Sequence, residues 1–150
     1  MPGKNKRKQL TYLSMLMKVS QLYIYPIKSL GGIALSSVNI AEKGFEYDRR
    51  WMLIDDNGRF ISQREVAEMS LLKVALSPDG IIVHHSSNEA DILQISFETT
   101  ATENISVQVW DDICIAKPVS KEADSWFSQK LHTRAYIAPR FPSVMFPPST

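Results

Sequence analysis

The sequence predicts a mainly β domain, an antiparallel barrel or folded sheet of about nine short strands with a single helix near the C-terminus. Apolar side chains alternate with polar ones along many short segments, which is how a strand presents two different faces. Turn sequences rich in Gly, Pro, Asp and Asn separate these segments, and one segment has apolar residues at helical spacing. The chain has 150 residues, 44% of them apolar, which is enough for one domain with a sizeable core.

Two strands and a hairpin turn are predicted in the first half of the chain. Leu22 and Ile24 alternate with more polar neighbours, and Trp51 and Leu53 repeat this period of two. The sequence Asp-Asp-Asn-Gly at residues 55–58 follows the second strand. Asn and Gly tolerate the positive φ angles of a tight hairpin turn, so a further strand is predicted directly after it.

Two more hairpins and a last strand follow. Pro-Asp-Gly at residues 78–80 favours a turn because proline presets φ, and the aspartate pair at 111–112 predicts another reversal. A short helical turn is predicted over residues 65–72. The remaining predicted strands are 73–77 with 81–85, 106–110 with 113–117, and 134–138. Strand alternation and the helix face select the predicted core, which is Leu22, Ile24, Leu53, Leu76, Val83, Val109, Trp126 and Phe127.

The predicted helix begins after Ser120, whose hydroxyl can cap it. Glu122 and Asp124 lie in its first turn, where negative charge favours the helix dipole. Lys130 and His132 lie near its C-terminus, where positive charge is favourable. The apolar residues at helical spacing are Ala123, Trp126, Phe127 and Leu131.

The formal net charge is only +1, and it is unevenly distributed. Lys4, Lys6, Arg7 and Lys8 lie near the N-terminus, so the rest of the chain has more acidic than basic side chains. Such a body lacks a stripe of cations that could neutralise phosphates, and no apolar run approaches the roughly 20 residues that cross a bilayer. We therefore expect neither nucleic acid nor a membrane as partner.

The single cysteine, Cys114, excludes an intramolecular disulfide and any multi-cysteine metal site, which indicates a reducing, cytoplasmic setting. Its neighbours Ile113 and Ile115 predict burial as a small hydrophobic side chain. His84 and His85 are adjacent on a predicted strand, so their side chains point to opposite faces. We expect no shared metal ion there.

Three regions are predicted along the chain. Residues 1–17 are a basic leader that is predicted to be disordered or mis-annotated. A secretory signal peptide is disfavoured because Lys18 interrupts the apolar part and no cleavage site follows. Residues 18–140 form the β domain. Residues 141–150 are rich in proline, which cannot continue a ladder of backbone hydrogen bonds, and are predicted to begin a linker.

Two segments combine cationic groups with the end of a strand. In residues 25–32 a proline stops strand pairing, paired glycines let the backbone approach a ligand, and Lys28 and Ser29 offer an ammonium and a hydroxyl. In the second segment Arg49 and Arg50 open a strand. Both segments suit an anion, and the alternative interpretation is a surface lysine with salt-bridged arginines. The common nucleotide-binding, hydrolase and metalloprotease motifs are absent from the sequence.

Three ordered motifs resemble one known family. They are Tyr-Pro-Ile-Lys-Ser-Leu-Gly-Gly at residues 25–32, Gly-Phe-Glu-Tyr-Asp-Arg-Arg-Trp-Met-Leu at 44–53, and Asp-Asn-Gly-Arg-Phe-Ile-Ser-Gln-Arg-Glu at 56–65. The family is the β-barrel domain found N-terminal to MOSC domains, which are of the molybdenum cofactor sulfurase C-terminal type. The resemblance extends from about residue 19 to residue 140.

The resemblance implies a mixed folded sheet or pseudo-barrel that has a MOSC domain as partner, in cis or in trans. In such proteins the two domains together hold the molybdenum cofactor (molybdopterin), and a cysteine of the MOSC domain ligates the metal. By motif match Lys28, Ser29 and Arg49 would contact the phosphate side of the pterin, and this chain would contribute no metal ligand and no catalytic residue. Arg64 resembles a recurrent family arginine, and we expect it to support the loop around Lys28 or to pair with a carboxylate.

The expected function is a cofactor-binding N-terminal module that is not catalytic alone. No MOSC domain fits after Thr150, so we expect the chain to be the N-terminal part of a two-domain protein. One alternative is a free-standing structural or interaction barrel whose arginines pair with Asp48, Asp55 or Glu65. Another is an autonomous transferase or reductase, which requires a titratable nucleophile in a cleft that the sequence does not indicate.

Overall fold

A computed structural model describes residues 16–98, 103–109 and 111–140, without the side chains of Val109, Asp112 and Cys114. Most of the predicted leader, residues 1–17, and all of the tail, residues 141–150, lie outside the described residues. The strands are β1 (Leu22–Ile24), β2 (Ile33–Leu35), β3 (Ile40–Ala41), β4 (Gly44–Phe45), β5 (Trp51–Ile54), β6 (Leu72–Ser77), β7 (Gly80–His85), β8 (Asn88–Ser96), β9 (Ile105–Val109), β10 (Asp112–Ala116) and β11 (Tyr136–Pro139). A 3₁₀ helix covers Ala67–Leu71 and the helix α1 covers Lys121–Leu131.

The strands form small antiparallel sheets. These are β1–β2, β3–β4, β5–β11, β9–β10 and the three-stranded β6–β7–β8. Isolated parallel bridges join Ile27 to Trp51 and Arg59 to Gln108, so the arrangement is mixed. Within the described ranges the strands do not close into a barrel. The predicted mainly β fold, a mixed folded sheet with one helix near the C-terminus, is confirmed.

The predicted hairpins are confirmed, with one difference in extent. In the turn after β5 the Asp55 carboxylate accepts the N–H groups of Asn57 and Arg59, both at 2.9 Å. Gly58 has a φ of +75°, and a Cβ there would lie 2.7 Å from the Ser106 carbonyl oxygen, so only glycine fits. The strand predicted after this turn is only a bridge between residues 54 and 60, because the chain then turns away.

The strand β5 lies between two apolar clusters. All four of its residues are buried, so both of its faces are covered. Trp51 and Leu53 belong to the larger cluster, which includes Phe127, and Met52 and Ile54 belong to the smaller one. Of the predicted core, Ile24, Leu53, Val83 and Phe127 are buried, whereas Leu22, Leu76 and Trp126 are half-buried and the Val109 side chain lies outside the description.

The helix α1 matches its prediction at both ends. The Ser120 hydroxyl accepts the Ala123 N–H at 3.2 Å, and His132 ends the helix in a left-handed conformation. On β8, Asp91 accepts the Trp126 indole N–H and pairs with Lys130. These contacts fix α1 against the three-stranded sheet.

The remaining predictions concern cysteine, histidine and membrane spans. The backbone of Cys114 pairs with Val107 on β9, and its side chain lies outside the description. The His85 ring is hydrogen-bonded to the Ser87 hydroxyl at 2.7 Å. The part of the chain that the structure describes contains no group of three or more His, Cys, Asp or Glu suited to a metal ion. No helix among these residues has the length and hydrophobicity needed to span a bilayer.

Candidate functional site

The two predicted anion-binding segments lie side by side in the fold. A parallel bridge pairs Ile27 with Trp51, and the Lys28 N–H donates to the Trp51 carbonyl at 2.9 Å. Two residues before Trp51, the Arg49 N–H donates to the Tyr25 carbonyl at 2.7 Å. These backbone bonds place Lys28 and Arg49 on adjacent segments at one end of β5.

A third segment borders the same end of β5. Pro139 of β11 pairs with Trp51 on the side opposite Ile27, and the Arg140 N–H donates to the Arg50 carbonyl at 3.0 Å. The end of β11 therefore contributes a further arginine to the neighbourhood of Lys28 and Arg49. Sequence reasoning missed this residue.

Two of the three predicted site residues have left-handed backbone conformations. Ser29 has a φ of +69° and Arg49 a φ of +48°. For residues with a Cβ this region is strained, and such strain concentrates at functional sites. The turn at Ser29 is held by Gln63, whose side-chain amide donates to the Ser29 carbonyl at 2.7 Å.

Positive charge concentrates around Lys28. Its ammonium nitrogen lies 3.7 Å from the centre of the Phe60 ring, a cation–π contact. Partial burial, followed by the charges of Arg140 and Arg49, lowers the pKa of Lys28 below its ordinary value. The pKa of Arg140 is also lowered, by burial and by Arg49, and the carboxylate of Asp48 opposes this shift.

The guanidinium of Arg49 has a carboxylate partner. It pairs with the adjacent Asp48 at 2.6 Å and lies over the Tyr25 ring, 5.4 Å from the ring centre. The other oxygen of Asp48 accepts the Tyr25 N–H at 2.7 Å. Asp48 therefore joins the two segments while neutralising part of their charge.

Lys28 and Ser29 open into a cleft of about 700 Å³. Its described lining contains the cations Lys28, Arg59 and Arg64 and no carboxylate. The other lining residues are the neutral polar Ser29, Ser62, Gln63 and Gln108 and the apolar or aromatic Tyr25, Leu30, Met52 and Phe60. A cleft lined by cations together with aromatic and apolar side chains suits a planar ligand that carries an anionic group.

The predicted residues occupy two positions relative to this cleft. Lys28 and Ser29 line it, whereas Arg49 lies beside it, beyond Tyr25. Arg64 also lines the cleft. A hydrogen bond to the loop around Lys28, one of the two roles expected for Arg64, is made by Gln63. A glutamine in the same motif could have been chosen from sequence only with knowledge of which side chain points inward.

The paired glycines serve internal packing. A Cβ on Gly32 would lie 2.7 Å from the Tyr25 ring, and a Cβ on Gly31 would lie 3.1 Å from the Leu72 carbonyl oxygen. The first loop therefore closes tightly on β6 and on Tyr25. We had expected these glycines to admit a ligand to the backbone, and their absent side chains instead make room for protein atoms.

Arg59, which sequence reasoning did not select, is held by two carboxylates. Its guanidinium lies 3.0 Å from Glu65 and 3.6 Å from Asp55. The turn after β5 and the loop that follows it are joined through this arginine. Together with the pair between Arg49 and Asp48, these contacts use every carboxylate that the structural alternative named.

Comparison with known proteins identifies relatives over most of the chain. The family model of the MOSC N-terminal beta barrel domain matches residues 16–134. The molybdenum cofactor sulfurase of Drosophila mojavensis is 24% identical over 119 residues, which are 76% of this chain and 15% of that protein. The sulfurase of Oryza sativa is 26% identical over 115 residues, 75% of this chain and 14% of that protein. A shorter match, 43% identical over 56 residues, is found in the sulfurase of Bombyx mori and covers 37% of this chain and 7% of that one.

A solved structure supports the fold. The solution structure of a Bordetella bronchiseptica protein aligns with a TM-score of 0.55 over 76% of this chain and 95% of that one, at 15% sequence identity. The chain matches only about a seventh of the length of the Drosophila mojavensis and Oryza sativa sulfurases. The motifs, the mixed folded sheet and the family match over residues 16–134 agree, and the chain belongs to the family of MOSC N-terminal β-barrel domains, related to the molybdenum cofactor sulfurases.

Proposed function

We propose that this domain supplies one side of a binding site for molybdopterin and holds its phosphate through Lys28, Ser29 and Arg49. The observation that supports this most is the cleft, which combines an ammonium and a hydroxyl with two further cations and no described carboxylate. The names of the related proteins, molybdenum cofactor sulfurases, indicate the cofactor. A single cysteine in the chain favours a cytoplasmic location.

The residues present fit the chemistry of a phosphate ester. A lysine supplies a compact charge, a serine hydroxyl supplies a donor, and an arginine supplies a planar fork for two oxygens. Arg49 now pairs with Asp48, so a phosphate would share or replace that carboxylate. Phe60 and Met52 offer apolar surface on which a flat heterocycle can lie.

A MOSC domain, in cis or in trans, would complete the site and supply the thiolate ligand. Molybdenum bound there supplies the redox or sulfur-transfer chemistry. The role of this domain is to bind and orient the cofactor, and by itself it is not catalytic. Its contacts are with the phosphate, at the opposite end of the cofactor from the metal.

A structural or interaction domain without ligand is the second candidate. The ion pairs of Arg49 with Asp48 and of Arg59 with Asp55 and Glu65 favour it, because they are the pairs that such a domain requires. These ion pairs include neither Lys28 nor Arg64, which line the cleft. Exposed ion pairs contribute little stability, so they do not argue strongly for a purely structural role.

Calorimetric titration of the protein with molybdopterin under anaerobic conditions tests the proposal. We expect weak binding, with a Kd of roughly 1 mM to 0.05 mM, because this domain supplies only one side of the proposed site. Lys28→Ala should weaken it at least about tenfold. The control Lys121→Ala removes an exposed lysine at the start of α1, outside the cleft, and should bind like the wild type. Absence of binding, or equal weakening in both variants, would favour the structural alternative.

A further inference from the structure

We propose that Arg140 is a further cationic ligand of the same anion site, contributed by the end of β11. This inference rests on the proposed function. Neither the three motifs nor the resemblance assigns Arg140, and it follows the last strand outside any recognisable pattern.

The register of the strands brings Arg140 to the site. Trp51 is paired with Ile27 on one side and with Pro139 on the other, so the three segments lie next to each other. Lys28 lies beside Met52 and Arg140 beside Arg50, so two strand spacings of about 4.8 Å and two residues along β5 put their backbones roughly 12 Å from each other. Two long side chains can meet at one phosphate over that span.

The electrostatics agree with this placement. Lys28, Arg49 and Arg140 each lie close enough to the others for their charges to lower a neighbour's pKa. The carboxylate of Asp48 pairs with Arg49 and also acts on Arg140. Partly buried like charges repel each other strongly, and an anion bound among them removes that repulsion.

The backbone of Arg140 takes part in the strand pairing at this point. Its N–H completes the ladder to the Arg50 carbonyl at 3.0 Å, and any residue except proline can do that. A lysine or glutamine at this position keeps the backbone contact. The charged side chain can therefore be changed separately from the strand pairing.

Titration of ¹⁵N-labelled protein with inorganic phosphate, at constant ionic strength with NaCl, tests the assignment. In the wild type we expect shifts of the backbone amides of Lys28, Ser29, Arg49 and Arg140. Arg140→Gln should weaken phosphate binding about tenfold. The affinity of Arg140→Lys for phosphate should lie between those of the wild type and Arg140→Gln. The control Arg134→Gln removes an exposed arginine that pairs with Asp56 and should bind phosphate like the wild type.

Lys28→Ala separates the two proposals. If Lys28→Ala weakens phosphate binding and Arg140→Gln does not, the assignment of Arg140 is wrong and the proposed function stands. If Arg140→Gln weakens binding and Lys28→Ala does not, the anion binds elsewhere and both are wrong. If Arg140→Gln disturbs the fold, Arg140→Met decides, because it removes the charge while keeping a long side chain, and binding equal to that of Arg134→Gln would overturn the assignment.

Discussion

The side-chain amide of Gln63 donates a 2.7 Å hydrogen bond to the carbonyl oxygen of Ser29. This bond connects the loop after the β5 hairpin to the turn that carries the lysine and serine of the cleft. Ser29 has a φ of +69°, so the bond holds a strained backbone in the conformation that points Lys28 and Ser29 into the cleft.

Gln63→Ala should loosen this turn. We expect the free energy of unfolding to fall by about 0.5 to 1 kcal/mol, because one hydrogen bond at a partly exposed position is lost. Phosphate affinity should fall as well, since Lys28 and Ser29 lose their fixed position. Urea unfolding measures the first effect and amide shifts on phosphate titration the second. Gln129→Ala, on the exposed side of α1, should change neither by much.

Two substitutions of Ser29 separate backbone strain from hydroxyl chemistry. Ser29→Ala and Ser29→Gly both remove the hydroxyl, but only glycine adopts a positive φ without a steric cost. The free energy of unfolding of the glycine variant should therefore be up to about 1 kcal/mol higher than that of the alanine variant. Both should bind phosphate more weakly than the wild type. An alanine variant as stable as the glycine variant would show that the turn is not strained.

The pKa of Lys28 should rise in Arg140→Gln. Arg140 and Arg49 lower it in the wild type, so the folded protein holds this proton less tightly than the unfolded chain does. The contribution of Lys28 to the free energy of unfolding therefore increases with pH between the lowered pKa and the ordinary value of 10.5. Arg140→Gln should reduce this dependence. Titration of the lysine ¹³Cε shifts measures the pKa, and the same value in wild type and variant would contradict the charge cluster.

Asp124 should stabilise the contact between α1 and β11. Its carboxylate accepts the Ile137 N–H at 2.8 Å, and Asp124→Ala should cost about 1 to 2 kcal/mol because that donor loses its partner. Asp124→Asn keeps an acceptor. Burial raises the pKa of Asp124, so the free energy of unfolding of the wild type should fall as pH rises from about 3.8. Urea unfolding at several acidic pH values should show a weaker dependence in Asp124→Asn.

The isolated chain should not turn over reductase or sulfurase substrates, even with molybdopterin present. A soft thiolate has to ligate the molybdenum, and the chain's one cysteine lies on β10, outside the motifs that bind the cofactor in the family resemblance. Molybdopterin should bind to the chain with a free energy of about −4 to −6 kcal/mol, and this binding should weaken in Arg49→Ala. Turnover above that of free cofactor would contradict the non-catalytic role, and affinity unchanged in Arg49→Ala would contradict the assignment of that arginine.

The helix could be predicted from sequence because its signals are local. Ser120, the acidic first turn and the spacing up to Leu131 all lie within one short segment. Strand β8 was missed because its first residues, Asn88–Ala90, are polar or small and exposed, and of these only Asn88 is paired with β7, next to an irregularity in the register. The burial of all of β5 was also missed, because a period of two predicts one covered face.

The site could be predicted only in part for the same reason. Lys28 and Ser29 lie in a motif with its own turn chemistry, so the sequence could select them. Arg140 and Gln63 reach the site through pairings between distant segments, and no local pattern marks them. Arg49 lies on the segment next to Lys28, as the two motifs predicted, and its pair with Asp48 is one that the structural alternative named.

The position of Trp51 between segments from distant parts of the chain has a consequence for folding. Neither the contact with Ile27 nor the contact with Pro139 is local, so both must close before the cations meet. Until β11 docks, the proposed anion site lacks Arg140, so phosphate adds its full binding free energy to the completed fold alone. Full binding of the cofactor would thus require that β11 has been synthesised and has docked beside β5.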